Sequence, residues 1–234
     1  MSNFFYYLSR ELFLVPLRPF ARFTYLETDP VPATGPALLL SNHISHFDPP
    51  FMGWKFPRII HFMADKPLLS IPIYGKILEK GHVFPIDRTK NDRAALRTAM
   101  ARLEAGNVVC IFPEKGIRHG PTSVLGGAEL ALGTASLWKM MDVPVLPMVV
   151  IGTDQFYAVK NWLRRPRVFI RVGKALPPDR EASKEELRDR IVSAWRELFE
   201  GMKRDYAIQP EELPQSAQKR WGQPEPVVAP IPEN

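Results

Sequence analysis

Apolar positions in this chain fall into short runs that alternate with longer amphipathic stretches. Ala37-Leu38-Leu39-Leu40 follows the turn-rich stretch Pro30–Pro36 and reads as a buried strand. Val83–Ile86 reads as a second strand, Val108–Phe112 as a central one and Val145–Val150 as another. Arg167–Val172 is rich in β-formers and ends at Gly173. Between these runs the spacing turns helical. Asn91 reads as an N-cap, Leu96, Met100 and Leu103 share one face, and Gly106 stops the helix behind Glu104. Ala128–Met141 reads as a further helix. Ser183 with Glu186 forms a capping-box signature ahead of Leu187, Ile191, Trp195, Leu198 and Met202. Strands alternating with helices predict an α/β domain.

The two ends differ from this pattern. Residues 1–27 hold Phe4, Phe5, Tyr6, Tyr7, Leu8, Leu12, Phe13, Leu14, Val15, Leu17 and Phe20, punctuated by Arg10, Arg18 and Arg22. Arg10 and Glu11 break the apolar run, and Pro16 and Pro19 break the helix pattern, so this is no signal peptide. Two arrangements fit: an amphipathic segment in a membrane interface, or a terminal helix docked on the protein's own core. From Gln209 onward six prolines and four Glu stand against Lys219 and Arg220, which predicts a disordered tail over 209–234. The chemistry belongs to the middle unit, residues 28–208.

Composition narrows this further. With 234 residues, 45% hydrophobic and 24% charged, the chain suits one mixed domain or at most two small ones. It is neither disordered nor collagen-like. The 24 prolines disfavour a bundle of long helices. The longest stretch without a polar side chain, Val143–Gly152, is well short of the ~18 residues of a spanning helix. Cys110 is the only cysteine, which excludes an intramolecular disulfide framework and a multi-cysteine zinc site. A net charge of +6 points to an anionic partner.

Reactive side chains are densest in Ser41-Asn42-His43-Ile44-Ser45-His46-Phe47-Asp48-Pro49-Pro50, directly behind the run at 37–40. Strand ends are where α/β domains place their sites. On one helix His43 and Asp48 would stand about 140° apart, so they meet only across a turn. Asp48-Pro49 suits a helix start, with Asp as N-cap and Pro at the first helical position. His43 and Asp48 are then either a general base with its orienting carboxylate, or a loop histidine and a cap. Two further runs end in an arginine: Phe84-Pro85-Ile86-Asp87-Arg88, and Phe112-Pro113-Glu114-Lys115-Gly116-Ile117-Arg118. Arg88 and Arg118 either converge on one anion or are solvated turn residues. Lys160, Arg164, Arg165 and Arg167 surround Trp162, usable for lipid headgroups or the phosphates of coenzyme A, or merely a solvated loop. A nucleic-acid-binding protein would interleave such residues with exposed aromatics on one surface; here the arginines end separate β-runs instead. A metal-dependent phosphohydrolase using His43, His46 and Asp48 lacks a further ligand set.

Taken in order, these runs resemble the glycerolipid acyltransferases typified by 1-acyl-glycerol-3-phosphate (lysophosphatidic acid) acyltransferase. Their N-H-x-S-x-x-D motif matches Asn42, His43, Ser45 and Asp48. Their second motif matches Phe84 to Arg88, and their F-P-E-G matches Phe112-Pro113-Glu114, with Lys115 in place of the glycine and Gly116 and Arg118 following. Their V-P-h-h-P, where h is apolar, matches Val143-Pro144-Val145-Leu146-Pro147. The resemblance covers residues 37–152. It implies a single α/β domain with a mixed central sheet flanked by helices, like that of glycerol-3-phosphate acyltransferases. It implies transfer of a fatty acyl group from acyl-CoA or acyl carrier protein to 1-acyl-glycerol-3-phosphate, giving phosphatidic acid, without metal or other cofactor. His43 would be the base and Asp48 its partner; Arg88 and Arg118 would hold the acceptor phosphate, Glu114 would position the glycerol, and Lys66 would add a phosphate contact. The same reaction on glycerol 3-phosphate, another lysophospholipid or a lyso-aminolipid is the alternative, and a basic binding protein without catalysis is the alternative of another class. An enzyme with these substrates must meet a bilayer, which implies a peripheral protein on the cytoplasmic face of a bacterial inner membrane, anchored by residues 1–27.

Overall fold

In the computed structural model, which describes residues 3–26, 31–87, 89 and 92–224, the apolar runs become strands of one seven-stranded sheet. These are β1 (Arg22–Leu26), β2 (Ala37–Ser41), β3 (Ile60–Asp65), β4 (Phe84–Ile86), β5 (Val108–Ile111), β6 (Val145–Ile151) and β7 (Arg167–Val172). Their order across the sheet is β1-β7-β6-β2-β5-β3-β4. All neighbours run parallel except β6 and β7. The sheet is therefore mixed, and β2, β5 and β6 form its buried centre.

Nine α-helices are described: α1 (Asn3–Leu14), α2 (Asp48–Lys55), α3 (Lys66–Leu69), α4 (Tyr74–Lys80), α5 (Arg93–Glu104), α6 (Leu132–Met141), α7 (Val159–Trp162), α8 (Lys184–Asp205) and α9 (Ala217–Arg220). The two-residue period of β2 divides the core. Leu38 and Leu40 face α5, α6 and α8, against Leu103, Trp138 and Trp195. Ala37 and Leu39 face α2 and the N-terminal segment, against Phe51, Met52 and Leu17. Each buried indole N–H finds a carbonyl: Trp195 Nε1 donates to Leu40 at 3.1 Å and Trp138 Nε1 to Val143 at 3.0 Å.

The predicted capping box holds, with both reciprocal bonds of Ser183 and Glu186 made, and α8 buries Leu187, Ile191, Trp195, Phe199 and Met202. Three helix starts differ from expectation: α2 begins at Asp48 itself, with Phe47 rather than Asp48 as N-cap, and α5 and α6 are shifted as well. α5 begins at Arg93 with Asp92 as N-cap, its carboxylate accepting from the amides of Ala94 and Ala95 at 3.0 Å each; Asn91 lies outside the described residues. α6 begins at Leu132 rather than Ala128. Ahead of it Gly127 sits at φ +111° and the Ala128 amide donates back to Ser123, so the chain turns before it can coil.

Both terminal boundaries move as well. The segment drawn as residues 1–27 contains β1, which pairs with β7 from Arg22 to Leu26, and Leu17 and Ala21 are core residues. α1 packs on α2, and the Tyr6 ring, 7% exposed, seats it there. At the other end, residues 209–224 are folded where the composition predicts disorder. Arg220 is 9% exposed, and its guanidinium pairs with fully buried Asp154 at 2.6 Å and donates to the carbonyls of Glu211 and Leu213. One buried ion pair holds down a segment with few apolar anchors. Residues 225–234 lie outside the described residues.

Candidate active site

The parallel strands β2, β3, β5 and β6 end at one edge of the sheet, so the segments behind them gather there. Asn42 anchors the first. Its Nδ2 donates to the carbonyl of Val150 at 2.9 Å and its Oδ1 accepts from the Val150 amide at 2.8 Å. This side chain extends the β2–β6 pairing by one rung and sets where the chain leaves the sheet.

Directly beyond, the chain turns and His43 meets Asp48, Nδ1 to Oδ2 at 2.8 Å. Asp48 is the first helical residue of α2; Phe47 is its N-cap and makes no side-chain cap bond. The carboxylate faces back into the loop, where Oδ2 also accepts from the amides of Ile44 and Ser45 at 2.8 and 2.9 Å. The turn thus supplies what an ideal helix would have denied. Asp48 is wholly buried, so its charge depends on these donors and on the positive end of α2. The imidazole stacks on Phe112, ring centres 4.1 Å apart and planes 20° apart, which fixes its orientation. With Nδ1 engaged, Nε2 is the nitrogen left for a reacting group, and it has no partner among the described residues.

The β5 loop clamps this turn from the side. Glu114 is fully buried, Oε2 accepting from the His43 amide at 3.2 Å and Oε1 from the Val124 amide at 2.7 Å. Burial pushes its carboxyl up, opposed by those two amides and by the His43 and Arg118 charges. Glu114 therefore does not present a free carboxylate to an acceptor; it secures the backbone of the base. The Arg118 amide donates to the His43 carbonyl at 2.8 Å, and its side chain is 9% exposed with Nε at 3.4 Å from the Glu114 carbonyl. Lys115 holds φ +55° where the motif carries glycine, while Gly116 has an ordinary φ.

The structure thus brings together His43, Asp48, Glu114 and Arg118. Lys66 stands exposed at the start of α3, and Arg88 lies outside the described residues. The remaining motif residues are structural. The Ser45 hydroxyl accepts from the Phe47 amide at 3.1 Å; Phe84 and Pro113 are buried; the Pro144 and Pro147 carbonyls accept from Leu38 and Gly173 at 2.9 and 2.7 Å. His46 does not join His43 and Asp48 as a ligand set. Its Nδ1 and amide both engage the Tyr157 hydroxyl, at 2.7 and 3.0 Å. Burial first, then the nearby His43 charge, lowers its pKa against the opposing pull of Asp48.

Two site residues escape sequence reasoning: Thr153, whose hydroxyl donates to Asp48 Oδ1, and Tyr157. The available signal is position alone, since Thr153 lies just behind β6 at the same sheet edge. Gly152, at φ +92°, makes that corner, and a Cβ there would lie 2.2 Å from the Arg167 carbonyl. Chemically, the arrangement holds an imidazole with one nitrogen left for proton transfer and the other tied to a buried carboxylate.

The family model described as Acyltransferase matches residues 22–151. A 1-acyl-sn-glycerol-3-phosphate acyltransferase of Bacillus subtilis is 28% identical over 120 residues, 51% of this chain and 56% of that one. Its namesake in Streptococcus pneumoniae is 28% identical over 154 residues, 65% and 54% of the two chains. One from Limnanthes alba is 30% identical over 145 residues, 61% and 50%. The chain spans about half the length of these relatives. The crystal structure of a 1-acyl-sn-glycerophosphate (LPA) acyltransferase from Thermotoga maritima superposes with a TM-score of 0.64, covering 86% of this chain and 88% of that one. At 20% identity that likeness is one of fold.

Proposed function

The chain belongs to the Acyltransferase family, and from that premise we propose that it moves a fatty acyl group from an acyl thioester, acyl-CoA or acyl carrier protein, to the free hydroxyl of 1-acyl-glycerol-3-phosphate, giving phosphatidic acid. The observation that carries this reading is the His43–Asp48 pair, held at 2.8 Å at the open end of the sheet with Nε2 unengaged. His43 Nε2 takes the acceptor's hydroxyl proton as the oxygen attacks the thioester carbonyl. Asp48 holds the tautomer with Nδ1–H and stabilises the imidazolium that forms. Collapse of the tetrahedral intermediate breaks the C–S bond, and the imidazolium returns the proton to the departing sulfur. Arg118, with Arg88 and Lys66, receives the acceptor phosphate. Glu114 serves from beneath by holding the His43 amide.

The acceptor and product are lipids, so the protein works at a bilayer surface, on the cytoplasmic side where acyl thioesters are made. No helix among the described residues is long and apolar enough to cross a membrane. α1 supports peripheral attachment instead: while Tyr6 is buried, Phe4 is 63% and Leu12 68% exposed.

The test supplies purified protein with lysophosphatidic acid and a labelled acyl thioester. His43→Ala should cut transfer by about 10²–10⁴ with the fold intact by circular dichroism. Full activity in that variant would end the mechanism. Transfer to glycerol 3-phosphate with none to lysophosphatidic acid would end the acceptor assignment.

A further inference from the structure

α7 and the turn behind it carry an unusual surface. Val159 is 68% and Leu163 86% exposed, one helical turn apart and so on one side. Lys160 and Arg164 have the same spacing and are also exposed, and exposed Arg165 follows at φ +51°, a conformation a side chain adopts at a cost. Arg22, Arg164 and Arg165 line a cavity of about 390 Å³ at this corner. Arg167 and Arg220 line it too, but they are paired with Glu212 and Asp154. Among the described residues Arg22, Arg164 and Arg165 have no carboxylate partner.

We infer that α7 is a second membrane foot, docking on an anionic phospholipid surface with Val159 and Leu163 entering the acyl boundary and Arg22, Arg164 and Arg165 receiving headgroup phosphates. The inference rests on the proposed reaction only for its purpose; the surface itself is argued from exposure and charge. Unpaired cations alone would suit any phosphate, a free acyl-CoA included. Two large apolar side chains held out beside them suit a lipid interface, where each stops being a cost. The foot is also rigidly tied to what it would position. Trp162 is wedged between Phe20 and Phe156, ring centres 5.5 and 6.1 Å away, and donates to the Phe156 carbonyl at 3.1 Å. Tyr157, two residues before Val159, holds the His46 amide on the loop that carries His43. Docking of α7 therefore sets the mouth of the site against the surface where its acceptor resides.

The test is flotation of the full-length protein with vesicles of phosphatidylcholine alone and of phosphatidylcholine mixed with phosphatidylglycerol. Replacing Arg164→Gln and Arg165→Gln together should lower partitioning onto the mixed vesicles about thirtyfold, at ~1 kcal/mol per lost cation, and leave the neutral ones unchanged. Replacing Val159→Ser and Leu163→Ser together should lower partitioning onto both by about tenfold. Unaltered melting temperatures keep the comparison clean. Unchanged partitioning of both variants on the mixed vesicles would overturn the foot. Weakened binding of free palmitoyl-CoA by the arginine variant, with flotation intact, would also overturn it and assign these arginines to a soluble donor. Flotation needs no turnover, so a protein that floats as expected but transfers no acyl group would sink the reaction and leave the foot standing.

Discussion

Asp48 shows how much one residue must be given before it can do its work. A carboxylate wholly out of water is stable as an anion only if donors replace the lost hydration. Oδ2 receives three, from His43, Ile44 and Ser45, and Oδ1 receives the Thr153 hydroxyl. Thr153 thus acts through Asp48: it fixes the carboxylate's rotation, and with it the direction in which His43 presents Nε2. Thr153→Val keeps the shape and removes the donor. We expect kcat to fall roughly tenfold with KM for lysophosphatidic acid unchanged, and Thr153→Ser, which restores the hydroxyl, to recover most of the loss. The variant should also lose about 1–3 kcal/mol in urea unfolding, because an acceptor is left buried and unpaired. A rise in KM with kcat intact would place Thr153 at the acceptor instead. The sequence shows His43 and Asp48 through their motif, but Thr153 lies more than a hundred residues away and meets Asp48 only because β6 pairs with β2.

Among the elements, those with a strong period were readable and those set by partners were not. β2, β5 and β6 are uninterrupted apolar runs, and α8 announces itself by cap and period together. β3 carries His61 between Ile60 and Phe62, and β1 begins with an arginine; each is a strand because the neighbouring edge offers hydrogen bonds, not because its own pattern demands it. α2 opens on Asp-Pro-Pro and is fixed as much by Phe51 and Met52 in the core as by its own propensity. The turn behind β5 is a case where the chain departs from its motif at a measurable cost. Lys115 sits at φ +55°, its amide donating to the Phe112 carbonyl at 3.2 Å to close the turn. A side chain there costs roughly 1–2 kcal/mol, part of which glycine returns through its freer unfolded chain. Lys115→Gly should therefore raise the melting temperature by about 2–4 °C, as ~1 kcal/mol does in a domain of this size, with the dyad undisturbed. A lower melting temperature would show that the lysine makes a compensating contact.

At the scale of the whole molecule, the N-terminal and C-terminal segments both close on residues 154–162, the stretch behind β6 that adjoins the site. The N-terminal segment reaches it through Phe20, which packs on Trp162. The C-terminal segment reaches it through Asp154: the Gln215 amide donates to Asp154 Oδ2 at 2.9 Å, Arg220 Nε donates to the same oxygen at 2.7 Å, and Trp221 Nε1 donates to the Tyr157 carbonyl at 2.7 Å. Composition alone concealed this, because prolines and glutamates outnumber apolar anchors and the decisive bond joins residues 66 apart. Asp154 is fully buried, and burial pushes its carboxyl up to about 6 even with Arg220 opposing that shift. Removing the guanidinium removes the largest opposing influence, so the carboxyl in Arg220→Ala must titrate above 6. At pH 8 the variant must either hold an uncompensated buried charge, with Oδ1 already lacking a partner, or take up a proton to avoid it, and should lose about 3–5 kcal/mol in urea unfolding. At pH 5 the carboxyl is protonated in wild type and variant alike. The charge then contributes nothing to the difference, and the deficit should shrink to about 1–2 kcal/mol from the lost bonds to Glu211 and Leu213. The gap between the two proteins must accordingly open as pH rises through about 6. Because Asp154 adjoins Thr153, acyl transfer by Arg220→Ala should weaken over the same range, measured at a temperature where the variant stays folded. A deficit that is the same at pH 5 and pH 8 would mean that Arg220 secures the segment by packing rather than by charge.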